Sequence, residues 1–351
     1  MRDTARRAFV FGLVFVGVVA LALALWKLRL VISLLFFAFI IAAAMRPGVD
    51  ALHRKGVPRP LGVAVHYVAL AVLIGLFLWQ VVPQAIDEVQ KAAGSLPTSK
   101  SELKSAAKHS TGFKHDVFSW LATHLKKLPS GGDLVHPAIS ATKTAFEVFV
   151  GIFFVFASAA YWIFERERAE EVVLSLLPGK RRKVVRDTWN LIDLKLGAFV
   201  RGQLLLITIV AIVLGAAYWA IGLPYWLLLA VFAGVVESIP VIGPLSAGVA
   251  AVGVGLTVSW QLALEALAVV LVVRVLEDYL ILPRVLGGAV GLSPLLVLVA
   301  VSSVAILFGG VAVLLAVPIA AVLVTLVDVI VREKDPAKED VPTVLFPAKD
   351  A

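Results

Sequence analysis

Residues 223–260 read LPYWLLLAVFAGVVESIPVIGPLSAGVAAVGVGLTVSW. This stretch is apolar almost throughout and is too long for one simple membrane span, which needs about 20 residues. Pro240, Gly243 and Pro244 lie near its middle, and each proline removes a helix hydrogen bond. The stretch therefore predicts a broken or re-entrant helical hairpin at membrane depth.

Irregular backbone at membrane depth indicates a functional site. Backbone groups left unpaired in hydrocarbon cost several kcal/mol each, so irregular backbone is tolerated only inside protein or beside a wet cavity. Glu237 stands directly before the break. We interpret residues 237–244 as lining a cavity, and a simple helix kink is the alternative interpretation.

The rest of the chain has the same apolar character. Its 351 residues are 60% hydrophobic and 16% charged, with a mean hydropathy of +0.97, which excludes a water-soluble protein. Apolar segments fall near residues 8–26, 28–45, 61–82, 144–164, 203–221, 223–260, 261–282 and 294–331. We read the first segment as a retained span rather than a cleaved signal, because a second apolar run follows almost at once. The pattern predicts an all-α polytopic membrane protein with broken or re-entrant segments in its C-terminal half.

Composition also excludes several kinds of site. The chain has no cysteine, and its six histidines show no HExxH spacing, so we predict no metal site. No GxxxxGK[ST] loop and no convergent catalytic set is visible, so we expect neither a cofactor nor enzymatic activity. The net charge of +8 comes from basic residues between the apolar runs, which favours lipid headgroups over nucleic acid as partners.

Basic residues in short loops predict the topology. They cluster in residues 1–7, 46–60 and 165–201, which we therefore place inside the cell. The predicted regions are N-terminal transmembrane helices 1 to 3 in 1–82, an extracytoplasmic segment in 83–143, transmembrane helix 4 in 144–164, a cytoplasmic amphipathic segment in 165–201, a C-terminal transport core in 202–331 and a cytoplasmic tail in 332–351.

Both predicted polar segments show helical patterning. In 83–143, Ser99 and Glu102 are spaced as a capping box, and Val117, Phe118, Leu121, Leu125 and Leu128 form one apolar face. That face could pack on another helix, on a neighbouring subunit or on the membrane surface. In 165–201, the basic cluster at 180–183 either contacts anionic headgroups or serves only as a topology determinant.

Ionisable residues inside the apolar half carry the candidate site, because each costs roughly 2.5–3.5 kcal/mol at a helix centre. Arg274 precedes Glu277 and Asp278 by three and four residues, so it can pair with either carboxylate. Glu237 has no basic residue within one turn, which makes it a candidate for titration or ion coordination. It could instead be a protonated structural group or a helix cap.

We assign candidate roles on this basis. Arg201 and Gln203 stand at a span entrance, where they contact the solute or anchor the helix at the headgroups. The candidate transport path or ion-coupling residues are Glu237, Ser238, Pro240, Gly243, Pro244, Arg274, Glu277, Asp278 and Pro283.

Several ordered motifs resemble one known family. They are LGAFVRGQ at 196–203, GLPY at 222–225, ESIPVIGP at 237–244, EDYLILPRVLG at 277–287, GLSP at 291–294, FGG at 308–310 and AVP at 316–318. Together they resemble the autoinducer-2 exporter family of PerM-like permeases, although the family usually spaces the glycines after Phe308 further apart. The resemblance implies about eight membrane helices, an outward polar segment between spans three and four, cytoplasmic termini, an inner-membrane location and homo-oligomers.

The family also sets the functional hypotheses. It implies export of a small polar solute such as autoinducer-2 or, in other members, exchange of Na+ or Li+ for H+. The residues do not separate these two activities, because Glu237, Glu277 and Asp278 could serve either. A membrane scaffold or regulator is the alternative of another class.

Overall fold

The computed structural model describes residues 2–95, 135–285, 292–339 and 341. Within these ranges the regular elements are all helical. By length and composition, six described helices could cross a membrane: Phe9–Lys27, Arg29–Arg54, Arg59–Val81, Phe149–Ser175, Gly179–Ala220 and Ala312–Ile330. The prediction of an all-α polytopic membrane protein is confirmed.

The helices of the first half are long, and those of the second half are shorter. The first half contains α1 (Arg2–Lys27), α2 (Arg29–Arg54), α3 (Arg59–Ser95), α4 (Val135–Ser175) and α5 (Gly179–Ala220). The second half contains α6 (Trp226–Val236), α7 (Ile242–Val258), α8 (Trp260–Leu276), a π-helical turn (Glu277–Ile281), α9 (Leu282–Val285), α10 (Pro294–Phe308), a 3-10 helix (Gly310–Leu315), α11 (Ala316–Ile330) and a 3-10 turn (Pro336–Lys338).

The polar stretch predicted at 83–143 is described only at its ends. There, α3 runs on to Ser95 and α4 begins at Val135. The predicted capping box at Ser99 and the apolar face from Val117 to Leu128 lie outside the described residues.

Helix α5 is the central element of the fold. It has 42 residues, so at 1.5 Å per residue it is roughly 60 Å long, about twice the thickness of a bilayer core. Its first half packs on α2, and its second half packs on α6 and α8. Leu206, Val210, Leu214 and Tyr218 are buried there in the largest apolar core. The predicted cytoplasmic amphipathic segment is divided: residues 165–175 end α4, whereas its part from Gly179 onward forms one continuous helix with the span after it.

The two longest apolar stretches are interrupted, as predicted. Residues 223–260 divide into α6 and α7, and Val241 between them has a left-handed φ of 68°. Residues 294–331 divide at Gly309, whose φ of 93° favours glycine. Pro318 does not interrupt this second stretch again, because it lies in the first turn of α11, where a helix does not need its missing N–H.

Small residues let the helices approach closely, as is common in membrane bundles. A Cβ on Gly234 of α6 would lie 2.8 Å from the Cβ of Ala211 on α5. A Cβ on Gly255 of α7 would lie 2.8 Å from the Cα of Ala263 on α8. These contacts bring α6 against α5 and α7 against α8, and so they position the broken segment.

Candidate functional site

The break between α6 and α7 is a compact turn rather than an open loop. Within it, Ile239 N donates to Val236 O at 2.9 Å, and Gly243 N donates to Ile239 O at 2.8 Å. A Cβ on Gly243 would overlap Val236 O, so the start of α7 comes against the end of α6 more closely than any other residue type would allow. The turn places Glu237 at the end of α6, facing α8.

Four charged residues converge at this point, and we call Glu237, Arg274, Glu277 and Asp278 the charged cluster. Arg274 Nη1 lies 3.1 Å from Glu277 Oε1 and 3.5 Å from Glu237 Oε1. Arg274 Nη2 lies 2.8 Å from Asp278 Oδ1. One guanidinium therefore bridges three carboxylates, of which Glu237 comes from a different helix.

Two members of the charged cluster are buried, and the other two are partly exposed. Glu237 and Glu277 are 8% and 3% exposed, whereas the side chains of Arg274 and Asp278 are partly exposed. When all four groups are ionised, the negative charges outnumber the positive one. Charge buried in this way is costly unless it is balanced, so a bound cation, proton or hydrogen-bond donor would relieve the excess.

The backbone at the cluster is also irregular. Glu277 and Asp278 begin the π-helical turn Glu277–Ile281, where α8 gives way to α9. Such turns are rare and are found frequently at functional sites. The turn combines with the α6–α7 break to place irregular backbone on two sides of Arg274.

A small cavity of about 20 Å³ adjoins the charged cluster. It is lined by Val210, Leu214, Tyr218, Glu237, Pro244, Ala247, Gly248, Val270, Val273, Arg274 and Glu277. This volume is enough for one water-sized occupant. The Tyr218 hydroxyl is buried and has no hydrogen-bond partner among the described residues. Sequence reasoning missed Tyr218, because an aromatic residue within an apolar run is typical of a core position.

The other predicted path residues do not all belong to the site: four lie in or next to the break, and the fifth lies on α9. Pro244 lines the cavity, and Gly243 packs on the end of α6. The Ser238 hydroxyl donates to Val235 O at 2.7 Å, and so it completes its own helix end. Pro240 lies within the turn, where its carbonyl accepts from Ile242 N at 2.8 Å. Pro283 is exposed on α9 and is not among the cavity residues.

The two predicted entrance residues are separated. Gln203 Nε2 donates to the Glu237 carbonyl at 3.4 Å, which joins it to the break. Arg201 is buried elsewhere, and its Nη1 donates to Ala44 O on α2 at 3.1 Å.

Arg201 shares its surroundings with a second polar network that the sequence did not indicate. Asp193 of α5 pairs with Arg166 of α4 and, at 3.2 Å, with Arg46 of α2. Arg166 Nη2 also donates to Asn190 Oδ1 at 2.5 Å. These contacts join three long helices. They could not be inferred because the partners are far apart in the chain.

Across the described part of the chain, no group of three or more His, Asp or Glu side chains is arranged to hold a metal ion. The arrangement at the charged cluster instead suits reversible binding. Carboxylates accept hydrogen bonds from hydroxyl donors, the guanidinium donates to oxygen acceptors, and an ion can exchange with a proton on a carboxylate.

Comparisons with known proteins identify the family of this chain. The sequence profile of the AI-2E family transporters matches residues 13–332. The chain is 27% identical over 303 residues to "Putative transport protein YrrI" of Bacillus subtilis, which covers 84% of this chain and 86% of that protein. It is 28% identical over 336 residues to "Putative transport protein MT0215" of Mycobacterium tuberculosis, which covers 92% of this chain and 89% of that protein. With the profile matching nearly its whole length, the chain belongs to the AI-2E family of membrane transporters.

Proposed function

We propose that the chain is a secondary transporter that exports a small polar solute of the autoinducer-2 kind along a route past the charged cluster. The observation that carries this proposal is the convergence of Glu237, Arg274, Glu277 and Asp278 beside a helix break in the most apolar part of the chain. Ionisable groups in membrane segments are costly, and they mark solute and ion pathways.

The chemistry of the cluster fits a hydroxylated solute. Arg274 and Asp278 are partly exposed, so they can meet a solute before the buried Glu237 and Glu277 do. Hydroxyl groups of the solute would donate to the carboxylates and accept from Arg274. The short helices on either side of the break provide the segments that move during transport, and paired interrupted helices are a common feature of transporter sites.

A second candidate function is exchange of a monovalent cation for a proton. The excess of carboxylates over guanidinium groups favours it, and so does the cavity of about 20 Å³, which suits an ion-sized or water-sized occupant. In this case Glu237 or Glu277 would carry the proton in one half of the cycle.

We also propose that the chain lies in the cell inner membrane with both termini in the cytoplasm and that it forms homo-oligomers. The basic residues in 1–7, 46–60 and 165–201 support this orientation.

Flux through proteoliposomes tests both candidates. The purified chain is reconstituted, and efflux of autoinducer-2 and of Na+ is followed with and without imposed Na+ and H+ gradients. We compare the wild type with Glu237→Gln and with Glu265→Gln, which changes an exposed carboxylate on α8 outside the cluster.

The outcomes separate the hypotheses. Loss of solute flux in Glu237→Gln alone supports the exporter, and loss of gradient-linked Na+ flux in that variant supports the exchanger. If the wild type carries neither flux, or if the two variants behave alike, the proposed role of the cluster is wrong and the scaffold hypothesis gains support.

A further inference from the structure

A groove runs between α4 and α5 at some distance from the charged cluster. Both helices pack along α2 but touch each other sparingly, so a space remains between them. One compartment of this space has a volume of about 490 Å³ and is almost entirely apolar. Its walls include Phe36, Phe39, Trp162, Trp189 and Ile192.

A polar compartment of about 260 Å³ adjoins the apolar one. The two compartments lie about one helical turn apart along two of the helices. On α2, Phe39 of the apolar compartment precedes Ala43 of the polar compartment by four residues. On α4, Trp162 precedes Arg166 by the same spacing. The charged and amide side chains that line the polar compartment are Arg46, Arg166, Glu170, Asn190, Asp193 and Arg201. The groove is therefore amphipathic along its length.

The polar compartment favours an anion. Its lining contains three guanidinium groups and two carboxylates, which leaves one positive charge in excess. The neighbouring ion pairs do not change this balance, because Asp50 pairs with Arg46 at 3.4 Å while Arg186 pairs with Glu170 at 3.0 Å.

On the residues that line the groove, two buried polar atoms lack hydrogen-bond partners within the described part of the chain. Asp193 Oδ1 is an acceptor on a residue that lines the polar compartment, and Asp193 is only 4% exposed. Trp189 Nε1 is a donor on a residue that lines the apolar compartment. Buried polar atoms normally have partners, so each of these two can take a hydrogen bond from or to a bound group.

The apolar compartment can be reached from the bilayer. Ile32 and Leu35 line it and also belong to the exposed apolar surface of α2, which lies against lipid in a spanning bundle. An occupant with an acyl chain can therefore enter sideways, whereas a fully water-soluble ligand would leave this compartment unfilled.

We propose that the groove binds an anionic phospholipid with a hydroxylated headgroup. One acyl chain lies in the apolar compartment, and the phosphate accepts hydrogen bonds from the guanidinium groups of the polar compartment. A headgroup hydroxyl donates to Asp193 Oδ1, and an ester carbonyl accepts from Trp189 Nε1. This lipid would hold α4 and α5 together on α2, and the proposal does not rest on the proposed transport activity.

Lipid retention by the intact chain tests the proposal. The purified protein is equilibrated with mixed micelles of phosphatidylglycerol and phosphatidylcholine that carry the same acyl chains, and bound lipid is counted by native mass spectrometry. We expect about tenfold preferential retention of phosphatidylglycerol, as charge complementarity predicts. Equal retention of the two lipids would overturn the proposal.

Variants locate the site. Ser158→Phe places a bulky ring in the apolar compartment, where it obstructs an acyl chain without changing any charge, and Arg46→Gln removes the positive excess. Both should abolish the preference, while Arg59→Gln, which changes an exposed arginine paired with Glu167 outside the groove, should retain it. Thermal unfolding in detergent identifies any misfolded variant, and Ser158→Phe then stands as the deciding test if Arg46→Gln fails to fold. Persistence of the preference in folded Ser158→Phe, or displacement of the lipid by soluble glycerol phosphate at equal concentration, would contradict a lipid site.

Discussion

At the scale of single residues, Arg274 determines the character of the site. It is partly exposed and contacts three carboxylates, two of which are buried. The spacing of Arg274, Glu277 and Asp278 predicted the local pairs, because these residues share a helix face. The approach of Glu237 could not be predicted, since it depends on how α6 packs against α8.

Replacing Arg274 tests this balance. We expect Arg274→Gln to lower the free energy of unfolding by roughly 1–3 kcal/mol, because it leaves buried carboxylates without their counter-charge while partial exposure reduces the effect. Adding Glu277→Gln should restore part of this loss, since it removes one unbalanced charge. Thermal unfolding in detergent measures both changes. A double variant less stable than Arg274→Gln would show that excess negative charge does not reduce the stability of the cluster.

Tyr218 provides a second test at this scale. Tyr218→Phe removes a buried hydroxyl that lacks a partner among the described residues, so stability should stay the same or rise by about 1–3 kcal/mol. Solute flux should nevertheless fall, because Tyr218 lines the cavity together with Glu237. Unchanged flux in proteoliposomes would assign Tyr218 to packing alone.

At the scale of helices, the break between α6 and α7 follows from local sequence. Pro240 cannot continue a regular helix, and α6 ends before it at Val236. Gly243 and Pro244 lie in the first turn of α7, where a proline is tolerated. The continuity of α5 was harder to predict. Its first half is polar and its second half apolar, so composition suggested two segments, whereas packing on α2 keeps the helix unbroken.

Glycine substitutions test the geometry of the break. Gly243→Ala should lower the free energy of unfolding by about 1–3 kcal/mol, because the new methyl group overlaps Val236 O and forces the turn to shift. Gly253→Ala on the same helix is the matched control, since a Cβ there meets nothing within 4 Å. We expect this control to be neutral or stabilising by up to about 1 kcal/mol. Equal loss of stability in both variants would argue against a close α6–α7 turn.

At the scale of the whole molecule, the fold class was predictable and the arrangement of sites was not. Hydropathy and basic loops are local properties of the sequence, and they predicted an all-α membrane protein. The charged cluster and the Arg166–Asp193 network each join residues that are far apart in the chain. Arg201 and Gln203 are neighbours in sequence, yet they belong to different sites because they face different helices.

The central claim is that the α6–α7 break adjoins a water-filled route through the protein. The chain contains no cysteine, so one introduced cysteine is the single target for thiol reagents. Ser238→Cys places the thiol beside Glu237, and Val249→Cys places a control on α7 at a position that is 74% exposed and apolar in its surroundings.

Labelling of these two variants in sealed proteoliposomes with a membrane-impermeant, water-soluble maleimide is the most direct measurement. We predict that Ser238→Cys reacts, that the transported solute slows the reaction, and that Val249→Cys reacts only with an apolar, membrane-permeant maleimide. If Ser238→Cys also reacts only with the apolar reagent, the break is sealed from water and the proposed route does not exist.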